Sequence, residues 1–216
     1  MAATKKRTAR SGLAEYERKR DFARTPEPAP RRARSATRRR FVIQKHRATA
    51  LHYDFRLEIG DAMPSWAVPK GPSLDPSQKR LAMQVEDHPL EYADFEGVIP
   101  EGEYGGGTVM IWDEGTYEML DDSDPAAALR KGELRFLLNG SKLKGRWTLV
   151  RTGPRRWLLI KGRDKYARTT DITETRPRSV RTKRLLAEIA RDEGGNVEKA
   201  ATGDPARRKS AASTAS

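Results

Sequence analysis

The sequence predicts a mainly β protein: an antiparallel barrel or sandwich with short helices at its periphery. Two observations predict it. In residues 51–59, Leu51, Tyr53, Phe55, Leu57 and Ile59 alternate with His52, Asp54, Arg56 and Glu58, the period-two signature of a half-buried strand. Further short runs of strand type follow at 41–44, Ser65–Val68, 81–85, 108–112, 116–120, 133–138, 146–151 and 157–161, punctuated by turn residues.

Taken in order, Ser11 is placed to cap a helix over 13–22, with Leu13, Tyr16, Arg20 and Phe22 toward the body. Residues 1–10 and 25–40 hold too little apolar surface to offset their ordering entropy and read as unstructured. Strands begin at Phe41. Asp113-Glu114-Gly115 and Asn139-Gly140 supply hairpin turns, with glycine at the positive-φ position. Pro125–Lys131 reads as a short helix capped by Ser123 or Asp124. The body is expected to end near Thr170. An amphipathic helix over 178–192 then uses Val180, Leu185, Leu186 and Ile189, and 193–216 reads as a disordered tail. The expected division is a basic arm at 1–12, a body at 13–170 with a basic Pro/Arg segment at 25–40, and a basic helix and tail at 171–216.

Charge is segregated along the chain. Residues 1–40 hold 14 Lys/Arg against 4 Asp/Glu, residues 41–170 hold 19 of each, and residues 171–216 hold 10 against 7. The excess of +13 therefore lies at the ends, around a balanced body. Basic arms of this kind fit a phosphate backbone, from which they release counterions, although a solvated tail has the same composition. There is no cysteine, which excludes disulfides and thiolate chemistry and restricts any metal to nitrogen and oxygen ligands. No apolar run reaches the ~18 residues of a membrane span, and Met1 to Arg10 has no apolar signal segment. The expected setting is cytoplasmic, near the nucleoid, with no membrane.

The chain has three histidines, His46, His52 and His88. His52, Asp54 and Arg56 fall on one face of a strand, ~6.5 Å apart in succession. An imidazole and a carboxylate so spaced can share a divalent ion, and His46 can add a third ligand from the preceding strand. Arg56 suits bidentate phosphate binding. An exposed polar strand face would show the same alternation. His88 follows a strand end, four residues before Tyr92, and both can donate to a phosphate; a local turn is the plainer account of that segment alone. The glycine cluster at 101–107 lacks the Gly-Lys-Ser/Thr of a phosphate-cradling loop and reads as a turn. Trp66, Trp112, Trp147 and Trp157 read as core. Lys70 and Arg80 sit in a proline-punctuated loop, touching phosphate or merely solvent.

These residues resemble the 3′-phosphoesterase domain of bacterial DNA ligase D. The resemblance rests on Gln44-Lys45-His46, Leu51-His52-Tyr53-Asp54-Phe55-Arg56-Leu57-Glu58, Trp66-Ala67-Val68-Pro69-Lys70-Gly71-Pro72 and Val85-Glu86-Asp87-His88-Pro89-Leu90. Phe95-Glu96-Gly97-Val98-Ile99-Pro100, Trp112-Asp113-Glu114-Gly115 and, upstream, Lys19-Arg20-Asp21-Phe22-Ala23-Arg24-Thr25-Pro26-Glu27-Pro28 add to it; it spans residues 13–168. It implies a compact antiparallel β-barrel with short flanking helices and a site that uses Mn²⁺ or another divalent metal. It implies that His46, His52 and Asp54 hold the metal, and that Arg20, Arg56, His88 and Tyr92 grip the scissile phosphate. Gln44, Lys70, Arg80, Glu86, Asp21 and Glu27 match supporting positions, and residues 25–28 would be ordered across the site.

The implied reaction removes a 3′-terminal ribonucleoside from DNA and then the remaining 3′-phosphate, leaving a 3′-hydroxyl. Expected partners are DNA 3′ ends, including ribonucleotide-terminated primers, and a DNA ligase, repair polymerase or Ku acting in trans. The competing expectations are a non-catalytic DNA-binding barrel that recruits end-joining factors and a phosphoesterase acting on RNA or cyclic phosphates.

Overall fold

The computed structural model describes residues 13–30, 39–121 and 123–206. In chain order its elements are α1 (Ala14–Arg18), β1 (Arg40–Arg47), β2 (Leu51–Leu57), β3 (Ala62–Met63), β4 (Ser65–Val68), β5 (Lys79–Gln84) and β6 (His88–Pro89). A 3-10 turn at Leu90–Asp94 precedes β7 (Gly97–Ile99), β8 (Gly107–Met119), α2 (Pro125–Lys131), β9 (Glu133–Gly140), β10 (Lys144–Arg151) and β11 (Arg156–Lys161). Three helices follow: α3 (Ile172–Thr175), α4 (Leu186–Asp192) and α5 (Val197–Ala201).

Eight strands close into an antiparallel barrel in the order β1-β2-β4-β5-β11-β10-β9-β8, with β8 pairing back onto β1. β7 adds to the start of β8, and β3 pairs with β6 outside the barrel. Closure leaves the barrel strands no free edge. The interior is aromatic. Trp66, Trp112, Trp147 and Trp157 are all buried in one cluster with Phe41, Phe55 and Phe136. Phe55 stacks on Phe136 at 5.9 Å between centroids, and Trp66 meets Trp157 edge-on at 5.6 Å.

Several elements differ from the sequence expectation. The runs at 108–112 and 116–120 are one strand, β8, and Asp113-Glu114-Gly115 is no hairpin. A bulge is the cause. Ile43 pairs with Asp113 and Gln44 with Ile111, so Trp112 is the extra residue. The inward phase moves from Met110 and Trp112 to Tyr117 and Met119, and a strict period-two search breaks there. Gly115 serves strand proximity: a Cβ on it would lie 2.2 Å from the Asn139 carbonyl oxygen. Asn139-Gly140 likewise ends β9, and the chain reverses just after it, where the Gly140 N–H donates to the Leu143 carbonyl.

The first helix is shorter than expected, Ala14–Arg18, and its proposed cap Ser11 lies outside the described residues, as do 1–12 and 31–38. α2 matches its expected bounds and is capped by Asp124, which accepts from the Ala127 N–H at 3.0 Å.

The chain past Thr170 is also corrected. Ile172, Leu186, Ile189, Ala190 and Ala200 are buried in the barrel's own cluster, and 193–206 contains α5 rather than a disordered tail. The expected helix over 178–192 is confined to α4. Asp204 accepts from the Leu186 and Ala187 N–H groups at the start of α4, tying the end of the chain back to it.

Candidate metal and phosphate site

β2 positions the site because its two faces differ. Tyr53, Phe55 and Leu57 point into the barrel cluster; His52, Asp54 and Arg56 point outward. β1 does the same, with Phe41 and Ile43 inward and Gln44 and His46 outward. Antiparallel register sets Gln44 opposite Asp54 and His46 opposite His52, so two adjacent strands offer one polar patch. The segment carrying α1 and residues 20–28, the turn after β6 and the 101–107 loop roof this patch into a cleft of about 260 Å³.

His46, His52 and Asp54 form a group whose ligand atoms all lie within 4.8 Å of one another. His52 Nδ1 donates to the Ala50 carbonyl at 3.0 Å, which leaves its Nε2 as the lone-pair nitrogen, 3.6 Å from Asp54 Oδ1. His46 Nε2 is buried and has no hydrogen-bond partner. A buried polar atom left unpaired is costly unless something binds it, so this donor set fits a divalent cation.

Protonation agrees. Burial holds the His46 imidazole below its usual pKa and therefore neutral. Burial opposes charge at Asp54 too, but Arg56 and the two histidines override it and keep the carboxyl well below its usual range. His52 is raised despite burial because Asp54 favours its cation.

Arg56, expected to clasp phosphate with two N–H groups, is instead the hub of the site. Nε donates to Gln44 Oε1 at 2.7 Å, Nη1 to Ser65 Oγ at 2.8 Å and His88 Nδ1 at 2.9 Å, and Nη2 to Asp54 Oδ2 at 3.0 Å. A guanidinium has five N–H groups, so these bonds leave one for a ligand. Gln44 is fixed in turn by donating to the carbonyls of Tyr92 and Phe95. The Glu86 carbonyl also lies 2.9 Å from His88 Nδ1, and Arg20 Nη2 lies 3.5 Å from Nε2; Arg56, at 2.9 Å from Nδ1, is the closer cationic donor and favours the proton on Nε2. Burial, Arg56 and then Arg20 hold His88 well below its usual pKa, so it is neutral.

Arg20 enters from the segment after α1, donates from Nε to Glu27 Oε1 at 2.9 Å and stacks over Tyr16 at 3.8 Å. Glu86 faces both Arg20 Nη1 at 3.4 Å and Lys19 Nζ at 3.2 Å. Buried Glu27 also accepts from Thr25 Oγ1, so residues 25–28 are held against the site.

Among the residues expected at the site, Arg20, Glu27, His46, His52, Asp54, Arg56, Glu86, His88 and Tyr92 line the cleft, with Gln44 behind them. Three are elsewhere. Lys70 and Arg80 line a separate groove with Pro69, Gln78, Lys79 and Leu81. Asp21 is exposed and accepts from the Ala23 N–H, closing a turn. Residues the sequence reading passed over are Lys19, Ser65, Tyr104 and Gly105. Ser65 had no flag beyond strand type, and the 101–107 loop offered glycines with one aromatic.

The sequence profile of the DNA ligase D 3′-phosphoesterase domain matches residues 44–151, half of the chain. The chain belongs to that family. It is 55% identical over 183 residues to the multifunctional non-homologous end joining protein LigD of Pseudomonas aeruginosa, covering 81% of this chain and 22% of that protein. It is 49% identical over 148 residues to the multifunctional non-homologous end joining DNA repair protein LigD of Mycobacterium tuberculosis, covering 68% and 19%. With the LigD of Mycolicibacterium smegmatis it shares 41% over 170 residues, covering 74% and 22%. This phosphoesterase-family chain thus spans about a fifth of the length of the curated relatives it matches. Among the described residues, no helix is long and apolar enough to cross a membrane.

Proposed function

We propose that the chain is a divalent-metal-dependent phosphoesterase that heals DNA 3′ ends in break repair. In the first step water cleaves the phosphodiester to a 3′-terminal ribonucleoside, which leaves, and a 3′-phosphate stays on the DNA. In the second step water cleaves that monoester, releasing inorganic phosphate and a 3′-hydroxyl. The reading rests on one observation: a two-histidine, one-aspartate cluster, with His46 and Asp54 buried and an unpartnered imidazole nitrogen on His46, shares its cleft with Arg20, Arg56 and His88.

His46, His52 and Asp54 would hold the ion; Mn²⁺ suits this nitrogen and oxygen donor set. When bound, it supplies Lewis-acid neutralisation of a phosphoryl oxygen. Arg20 and the remaining N–H of Arg56 add charged hydrogen bonds to the phosphate oxygens. His88 Nε2 and the Tyr92 hydroxyl offer neutral donors, suited to a developing alkoxide. Ser65 is no nucleophile candidate: its hydroxyl donates to the Met63 carbonyl at 2.8 Å and accepts from Arg56. A ligase, a repair polymerase or Ku acting in trans would use the healed end.

The test is a primer ending in a 3′-phosphate or a single ribonucleotide, incubated with Mn²⁺ or with a chelator, beside an RNA strand of the same sequence. The expected result is trimming of the DNA ends with metal only. Asp54→Asn and His52→Ala should each lower turnover by more than the ~10–100-fold typical of outer-shell changes, with unchanged circular dichroism. Undiminished rates in both variants would remove these residues from the site, and preference for the RNA strand would replace the substrate.

A further inference from the structure

Tyr104 is the exposed aromatic at the mouth of the cleft. It stands on the 101–107 loop and is 49% exposed, whereas Tyr92, deeper in the same cleft, and Tyr16 beside it are buried. Lys19 Nζ sits 4.4 Å from its ring centroid and donates to its hydroxyl at 3.1 Å, with the Arg20 guanidinium 5.7 Å away. The loop is tied at Glu103 and at its Gly107 end. Arg24 pairs with Glu103 at 3.1 Å, and Gly107, with φ +150°, lies so close to the end of β1 that a Cβ would sit 2.2 Å from the Arg47 carbonyl oxygen. Next door, Gly105 borders His46, its Cβ position 3.7 Å from Cε1. The ring therefore stands on a loop that borders the candidate metal ligands.

We propose that Tyr104 is a stacking platform for the nucleobase next to the phosphate being processed. This rests on the reading of the cleft as a 3′-end site. The cleft is smaller than the ~300–1,000 Å³ of pockets that enclose drug-sized ligands, so a phosphate fits inside while the attached base must lie at the mouth. The residue at that mouth is a π surface that Lys19 covers in part, and its exposed remainder offers a flat aromatic ligand a stacking partner in place of bulk water. Stacking on an aromatic side chain tolerates any base, as suits an enzyme that acts on ends of arbitrary sequence.

The experiment uses primers that end in a 3′-hydroxyl, the product of the proposed reaction, so nothing turns over with Mn²⁺ present. One primer carries 2-aminopurine as its terminal base; the other ends in an abasic residue. Wild-type protein should quench the 2-aminopurine and bind that primer about tenfold or more tightly than the abasic one, within the ~5- to 150-fold range of one stacked base. Tyr104→Ala should lose the quench and bind both primers alike, and Tyr104→Phe should restore the wild-type pattern. Equal affinity of wild-type protein for the two primers, or a Tyr104→Ala loss that is the same for both, overturns the platform and leaves Tyr104 as a prop for Lys19. Wild-type protein that binds neither primer overturns the platform, whereas the turnover assay on 3′-phosphate and ribonucleotide ends decides the 3′-end reading itself.

Discussion

Arg56 is 2% exposed and bridges Asp54, Gln44, Ser65 and His88, so one cation fixes the carboxylate at one end of the cleft and the imidazole at the other. Its type and spacing were legible on β2; its partners were not, because Ser65 and Gln44 come from neighbouring strands whose register no single strand reveals. Asp87, beside His88, behaves differently. Burial, with Glu15 and Glu86 nearby, pushes its carboxyl up to about 6. The folded state then binds that proton more tightly than the unfolded chain, so the stability it contributes is full below about pH 4 and is lost as pH rises through about 6. Asp87→Asn is expected to gain ~1–2 kcal/mol at pH 8 and nothing at pH 4. Urea unfolding at the two pH values measures it, and an equal gain at both would refute the buried carboxylate.

At the scale of elements, much of the fold was legible because several barrel strands alternate apolar and polar residues, and β2, β4 and α2 fall where period and cap residues put them. Two features escaped for physical reasons. A bulge shifts the phase of β8 at Trp112, and glycines that allow close strand contact look like turn glycines in a sequence. β3, β6 and β7, at two to three residues each, are too short to show any period. Gly115→Ala tests the close approach. The added methyl overlaps the β9 backbone, and a cost of ~1–3 kcal/mol is expected in the urea midpoint. A neutral substitution would mean that the two strands part without penalty.

For the molecule as a whole, the boundary expected near Thr170 failed because α3, α4 and α5 supply few apolar residues each, and their value appears only against the barrel. Trp112 Nε1 donates to the Arg176 carbonyl at 2.9 Å, and Lys142 Nζ donates to the carbonyls of Arg176 and Arg178. Ending the chain at residue 170 would bare the barrel cluster and strip Lys142 of its acceptors. That truncation is expected to abolish a compact folded monomer, seen as rapid proteolysis and a lost near-ultraviolet dichroism signal; a cooperative melt like that of the full chain would contradict it.

His46, His52, Asp54 and Arg56 project from the outer surface of the β1–β2 wall, and the wall's inner surface carries none of the cleft's side chains. Hardening and chemistry are thereby assigned to opposite sides of the same strands. Volume-conserving changes at Leu149, inside the barrel, would alter its packing without touching a ligand, an engineering freedom denied to barrels that work from their lumen.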